Sequence, residues 1–142
     1  MDTKRIIPII IVFAIIVASG SRLLAATKPE DEARQSAEQW LALIDAGKFA
    51  ESWESAAGYF KAAVSKEQWV QALGAVRRPL GDLISRRLKS ARYAKSLPGA
   101  PDGEYVVLRF DTSFGNKKTA IETVTPMLDQ DGTWRVSGYF IK

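Results

Sequence analysis

The sequence predicts an α+β domain in which about three N-terminal helices pack on a four-stranded antiparallel sheet. Two observations predict this class. Apolar residues recur at intervals of three and four up to Pro79, which is the spacing of an amphipathic helix. After Gly81 the interval becomes two, which is the spacing of a strand. Helices followed by a run of consecutive strands indicate helices gathered on one face of an antiparallel sheet.

Three helices are predicted before Pro79. The first begins at Thr27-Lys28-Pro29-Glu30, which has the pattern of a capping box, and ends at Gly47, which suits a left-handed position. The second covers about residues 48–60. The third begins at another capping box, residues 65–68, and ends before Pro79, because the residue before a proline avoids helical geometry. The apolar stripe of the first helix consists of Ala33, Ala37, Trp40, Leu41 and Ile44.

Four strands are predicted after Gly81. The first runs from about residue 83 to residue 96, and the loop LPGAPDG follows it. The other three are EYVVLRFDTSF, KKTAIETVTPML and TWRVSGYFIK, separated by the turn sequences GN and DQDG. Connections this short join antiparallel neighbours, so the strands are expected to form a meander.

The composition excludes several kinds of chemistry. The 142 residues include neither Cys nor His, which rules out disulfides, cysteine nucleophiles and a Ser-His-Asp triad. The same absence removes the usual ligands of zinc and iron–sulfur centres. We therefore assign no catalytic, cofactor-binding or metal-binding residue from the sequence, and we expect no cofactor. A non-catalytic role is favoured over an enzyme.

The first 26 residues have the pattern of an export signal. Lys4 and Arg5 precede an apolar run from Ile6 to Ala18, and small residues follow, with cleavage expected after Gly20 or Ala26. The run is shorter than the ~20 residues that span a bilayer, and an uncleaved membrane anchor is the alternative. We expect residues 27–142 to form one domain that is periplasmic or secreted, or else is anchored to the inner membrane by residues 1–26.

The net charge does not indicate a nucleic-acid partner. The chain carries a formal charge of +4, of which residues 1–26 contribute +2, so residues 27–142 have an ordinary surface balance. Basic residues concentrate between Arg77 and Lys95. We interpret them as the charged protection of an edge strand, with anionic lipid or an acidic partner as the alternative.

The two tight turns set the predicted register of the last three strands. Residues 129–132, DQDG, suit a type I turn followed by a left-handed glycine, and Gly115-Asn116 suits a two-residue turn. An error of one residue in such a count would exchange the two faces of the sheet. The expected pairs are Leu128 with Trp134, Pro126 with Val136, Phe114 with Lys117, Arg109 with Glu122, and Val107 with Val124.

This register divides the strand residues between two faces. One face carries a polar cluster of Arg109, Asp111 and Glu122 beside an apolar cavity wall of Tyr105, Val107, Val124 and Trp134. The other face carries Val106, Leu108, Phe110 and Ile121. One layer of helices covers only one face, so this second face is a candidate interface for a homodimer or an envelope partner.

Five segments resemble a known protein family. They are AEQWLALIDAGKFAESWESA, FKAAVSKEQWVQAL, LPGAPDGEYVVLRFDTSF, ETVTPML and WRVSGYFIK. In this order they are similar to the bacterial exported proteins of the domain-of-unknown-function family four thousand and nineteen, from about Ala33 to Lys142. The resemblance implies a cystatin-like or nuclear transport factor two-like fold, in which a curved sheet wraps helices around a conical cavity. It implies no activity, cofactor or catalytic residue.

The polar cluster has two interpretations. If its face lines a cavity, Glu122 would bind a cationic or hydroxylated ligand, or act as a base, with its charge held by Arg109. Otherwise Arg109 and Glu122 form a cross-strand ion pair that stabilises the sheet.

The sequence favours a non-catalytic, exported binding or interaction domain with a small cavity between sheet and helices. Its partner would be an unknown small molecule or an envelope protein, and the membrane would be involved only through an uncleaved residue 1–26 segment. One alternative is a small isomerase-like or hydratase-like enzyme with Glu122 or Asp111 as its base. A second is a structural envelope protein that acts through the face of Val106, Leu108, Phe110 and Ile121.

Overall fold

The computed structural model describes residues 28–142, in which helices precede a four-stranded sheet. The helices are α1 (Pro29–Asp45), α2 (Phe49–Glu54), α3 (Gly58–Ala63) and α4 (Lys66–Arg77), followed by a 3₁₀-helix at Arg78–Leu80. The strands are β1 (Leu83–Ala94), β2 (Tyr105–Phe114), β3 (Lys117–Leu128) and β4 (Trp134–Ile141), antiparallel in the order β1-β2-β3-β4. The predicted α+β class and the meander are confirmed.

The predicted export signal, residues 1–26, lies outside the described residues. Along residues 28–142, no helix combines the length and the apolar character needed to cross a membrane.

The first helix ends where the sequence predicts. Gly47 has φ +75°, and its N–H donates to the carbonyl oxygen of Ile44 over 2.9 Å, which closes the last turn in a left-handed conformation. At the other end the helix begins at Pro29, a position where proline loses no hydrogen bond. Its N-cap residue is Lys28, and the predicted capping residue Thr27 lies outside the described residues.

The capping box of α4 is confirmed. The hydroxyl of Ser65 accepts a hydrogen bond from the N–H of Gln68, and the Gln68 side chain accepts one from the N–H of Ser65, each over 3.2 Å. The helix ends at Arg77, just before the 3₁₀ turn that contains Pro79.

The predicted second helix is interrupted, so the structure has α2 and α3 in its place. Residues 55–57 separate them, and of these Ala56 and Ala57 are fully buried. The N–H of Ala57 donates to the carbonyl oxygen of Val136 on β4 over 2.8 Å. Because that N–H pairs with the sheet, it is not available to continue the ladder of α2.

The core lies between α1 and one face of the sheet, here called the inner face. The predicted stripe of α1 is buried, and it packs against side chains from β2, β3 and β4. Burial of these apolar side chains provides the main stabilisation of the domain. The sheet residues of the core are Val106, Leu108, Phe110, Val124, Trp134 and Val136.

The register between β2 and β3 differs from the predicted one by one residue. The turn pair of Phe114 with Lys117 is confirmed, but an irregularity beyond Thr112 places an additional residue on β3. A bulge of this kind shifts every later pair. The observed pairs are Phe110 with Glu122 and Leu108 with Val124, in place of the predicted Arg109 with Glu122 and Val107 with Val124.

The shift corrects the predicted assignment of faces. Val106, Leu108 and Phe110, predicted to form an interface, belong to the core on the inner face. Strand alternation puts Tyr105, Val107, Arg109, Asp111 and Ile121 on the opposite, outer face, with none of them beside Glu122. The register at the DQDG turn is confirmed, with Leu128 opposite Trp134 and Pro126 opposite Val136.

Candidate functional site

The structure does not bring the predicted polar cluster together. Glu122 is fully buried on the inner face, whereas Arg109 is exposed on the outer face. Asp111 also lies on the outer face, where its nearest cationic partner is Arg87 at 4.0 Å. Both side chains of that pair are well exposed, so their attraction contributes little to stability.

The predicted cavity wall is divided in the same way. Val124 and Trp134 lie on the inner face within the core. Tyr105 and Val107 lie on the outer face, where the Tyr105 hydroxyl donates to the carbonyl oxygen of Pro101 over 2.5 Å. Burial raises the pKa of Tyr105, so this donor stays protonated. Core side chains therefore occupy the positions where a cavity wall was expected.

A different set of polar residues surrounds Glu122. Its Oε1 accepts hydrogen bonds from Arg86 Nε and Thr112 Oγ1, both over 2.7 Å. Its Oε2 accepts from Arg86 Nη2 over 3.2 Å and from the hydroxyl of Tyr139. Each carboxylate oxygen thus accepts two hydrogen bonds. A buried charged group requires such partners in place of water.

Arg86 extends this network to the helices. Its Nη1 and Nη2 donate to the two carboxylate oxygens of Asp45 over 2.7 and 3.0 Å. Asp45 also accepts from Arg77 Nη2 over 3.0 Å, and the Arg77 guanidinium lies 4.3 Å from the centre of the Phe114 ring. The network, called here the Glu122 network, consists of Asp45, Arg77, Arg86, Thr112, Glu122 and Tyr139.

Protonation states within the Glu122 network follow from burial and from its own charges. Burial, together with the adjacent Glu122 carboxylate, raises the pKa of Tyr139 far above its usual range, so the phenol remains a donor. Burial by itself would lower the pKa of Arg86, but the hydrogen bonds that its guanidinium donates to Asp45 and Glu122 raise it. The network thus pairs the guanidinium groups of Arg77 and Arg86 with the carboxyl groups of Asp45 and Glu122.

Most members of the Glu122 network were not predicted as site residues. The sequence pattern groups Arg86 with the basic residues of an edge strand, and it does not single out Asp45. One feature of the sequence could have identified Arg86 as a site residue. It occupies an inward position of the alternating pattern in β1, where an unpaired charge would be costly. Its partner Asp45 is 41 residues away and no local pattern marks it.

An accessible polar groove lies between α1 and β4 and is called here the α1–β4 trough. Two adjoining concavities of about 440 and about 380 Å³ share four residues and follow the exposed side of α1. Amide and hydroxyl side chains dominate the lining, with two indoles at the base. The residues are Glu32, Gln35, Ser36, Gln39, Trp40, Leu43, Ser55, Gly132, Thr133, Trp134 and Arg135.

The DQDG turn holds one wall of the trough in place. Arg135 donates to Asp131 over 2.7 and 2.8 Å and to Asp129 over 3.2 Å. The N–H of Gly58 also donates to Asp129, and this hydrogen bond is the main reason that the pKa of Asp129 is lowered. Both carboxylates therefore have internal partners, which agrees with the interpretation of DQDG as turn chemistry.

The arrangement of the carboxylates was also compared with what a metal site requires. Over residues 28–142, no group of three or more acidic side chains is arranged to hold a metal ion.

These observations define a class of protein. It is an α+β domain with a meander sheet, a buried ionic network and an open polar trough. The chain belongs to the family described as Protein of unknown function (DUF4019), which matches residues 36–139. The family resemblance drawn from the sequence segments is therefore confirmed. No curated protein matches the chain significantly.

Proposed function

We propose that the protein is a non-catalytic binding domain whose ligand occupies the α1–β4 trough. The observation that carries the proposal is the lining of this groove, where hydrogen-bonding amides and hydroxyls stand beside the apolar side chains of Trp40, Leu43 and Trp134. Ligand sites typically combine apolar walls with a few polar groups that fix orientation.

The hydrogen bonds that Glu122 accepts argue against the enzyme alternative. A general base needs an oxygen that can reach a substrate proton, and both oxygens of Glu122 already accept two hydrogen bonds. The second candidate base, Asp111, lies on the open outer face, where its side chain is 44% exposed to water. Neither carboxylate has the setting that the isomerase or hydratase hypothesis requires.

The lining favours a ligand rich in hydroxyl and amide groups. Gln35 and Gln39 each offer a donor and an acceptor, and Ser36 and Thr133 add hydroxyls. The main cation, Arg135, is occupied by Asp129 and Asp131. Short N-acetylglucosamine oligomers present the matching hydroxyl and amide groups.

Nuclear magnetic resonance of the four indole N–H groups tests this proposal. We expect chitotriose to shift the Trp134 resonance and to leave Trp53 unchanged, because Trp53 is not part of the trough lining. The Trp40 indole N–H donates to the buried carbonyl oxygen of Ser52, so its resonance should move less than that of Trp134. Gln39→Ala should weaken binding about threefold to tenfold, the effect of one lost hydrogen bond.

The matched control is Gln71→Ala, which removes the same amide from the exposed side of α4. It should bind chitotriose as the unaltered protein does. If the Trp134 resonance does not move at saturating sugar, or if both variants weaken binding equally, the trough is not the site for this class of ligand.

We also propose that residues 1–26 direct export, so that the domain acts in the periplasm or outside the cell. The charged start, the apolar run and the small residues that follow support this. Mass spectrometry of the protein purified from its own host is expected to find an N-terminus at Ser21 or Thr27. A chain that begins at Met1 in the membrane fraction would favour the anchor instead.

The finer fold class is part of the same proposal. We place the domain with cystatin-like and nuclear transport factor two-like folds, because its helices cover one face of an antiparallel meander. Register irregularities in all three strand pairings support a curved sheet, since bulges bend strands.

A further inference from the structure

β4 forms one edge of the sheet, and the beginning of its free side is covered by other parts of the chain. The carbonyl oxygen of Trp134 accepts a hydrogen bond from the Ser36 hydroxyl over 2.7 Å. The carbonyl oxygen of Val136 accepts from the N–H of Ala57 over 2.8 Å. The helices therefore close this edge up to Val136.

The end of the same edge is open. Lys142 exchanges two backbone hydrogen bonds of 3.0 Å with Ile121 on β3, so its backbone points into the sheet. Because backbone direction alternates along a strand, Phe140 also points to β3 and the backbones of Tyr139 and Ile141 point away from it. Among the described residues, no backbone group pairs with Tyr139 or Ile141 on that outward side.

An apolar groove accompanies this open edge. It has a volume of about 200 Å³ and lies between α4 and the end of β4. Val76 and Phe140, at its rim, are 52% and 62% exposed, which is unusual for such large apolar side chains. The groove is lined by Trp69, Ala72, Leu73, Val76, Tyr139, Phe140 and Ile141.

The opposite edge of the sheet, formed by β1, is cationic. β1 carries exposed Arg87, Lys89 and Arg92, and cationic side chains on an edge strand discourage pairing with another chain. The open end of β4 carries none between Val136 and Ile141. Lys142 follows directly, so two copies meeting through β4 would bring one cation each to the joint, against three on each β1 edge.

We propose that a second copy of this chain covers the open end of β4, so that two sheets join in an antiparallel β4–β4 pair. A two-fold axis at Phe140 makes the edge self-complementary. Tyr139 of each copy lies opposite Ile141 of the other, and both pairs exchange backbone hydrogen bonds. The two Phe140 side chains lie opposite each other, and Val76 flanks the joint. This interface is separate from the α1–β4 trough.

Sedimentation of the whole chain tests the dimer. Phe140→Lys places two like charges opposite each other, and Ile141→Pro removes an N–H that points away from β3, so each should raise the dimer dissociation constant about tenfold or more. Ile84→Lys is the matched control, because Ile84 is 67% exposed on β1. All variants share residues 1–27, so any association through that segment is common to them.

The control should dimerise as the unaltered protein does, and circular dichroism should show that each variant is folded. A chain that sediments as a monomer at every concentration overturns the proposal, as does Ile84→Lys dissociating the dimer as strongly as Phe140→Lys. If Phe140→Lys does not fold, Ile141→Pro decides the question.

A single cysteine gives a positive test of the register, because the chain has no Cys of its own. Opposite residues of a non-hydrogen-bonded pair have Cα atoms about 4.5 Å apart, within the ~4.4–6.8 Å that a disulfide spans. Phe140→Cys is expected to form a disulfide-linked dimer under mild oxidation, and Ile84→Cys is not. Equal crosslinking of both variants would show random collision and reject the β4–β4 pair.

Discussion

Replacement of Arg86 by methionine is expected to lower the free energy of unfolding by about 3–5 kcal/mol. Methionine fills a similar volume but leaves the Glu122 carboxylate, which is 0% exposed, without its cationic partner. Asp45 also loses one of its two guanidinium partners. The remaining donors, Thr112 and Tyr139, are neutral and cannot offset a buried negative charge.

The neighbouring residue provides a matched control. Arg87 has the same side chain on the same strand, but it is 85% exposed and lies 4.0 Å from Asp111. Arg87→Met is therefore expected to change the free energy of unfolding by less than about 0.5 kcal/mol. Urea denaturation of both variants, followed by circular dichroism, measures the difference.

A second variant separates the charge from the shape of the network. Glu122→Gln keeps the side-chain volume but leaves Arg77 and Arg86 with Asp45 as the one carboxylate of the network, so it should destabilise the protein far more than Arg87→Met does in the same measurement. Equal, small effects of Arg86→Met and Arg87→Met would show that the Glu122 network does not stabilise the fold. Glu122 would then be free for the ligand or proton-transfer role predicted from the sequence.

Local patterns account for what the sequence predicted correctly. The stripe of α1 repeats at helical intervals, Ser65 and Gln68 form a capping box within four residues, and Gly47 allows a left-handed turn. Each of these features depends on residues that are neighbours in the chain. The DQDG turn likewise fixed the pairing of Leu128 with Trp134, because the turn and the pair adjoin.

The candidate site was mispredicted because its geometry depends on distant events. A bulge near Thr112 has no reliable sequence mark, and it moved Arg109 away from Glu122. The composition of β2 does not show which face is buried, because apolar side chains occur on both faces at its start. Tyr105 and Val107 alternate there with Val106 and Leu108. A strand with two partly apolar faces specifies its register weakly by pattern alone.

The corrected register itself leads to the second large prediction. Phe110→Ala is expected to lower the free energy of unfolding by about 3–5 kcal/mol, because the ring is 2% exposed within the core and its removal leaves a cavity. Arg109→Ala, one residue earlier on the exposed outer face, should cost less than about 0.5 kcal/mol. Urea denaturation at a fixed protein concentration compares the two variants.

The result also decides which surfaces can bind a partner. The sequence had placed Phe110 on a free interface, where its loss would cost little stability and would instead weaken self-association. If Phe110→Ala leaves the free energy of unfolding unchanged and only reduces dimerisation, the outer and inner faces must be exchanged. The β4–β4 pair then loses its basis. If it destabilises the monomer as expected, Phe110 belongs to the core, and the exposed Phe140 remains available for contact with a second copy.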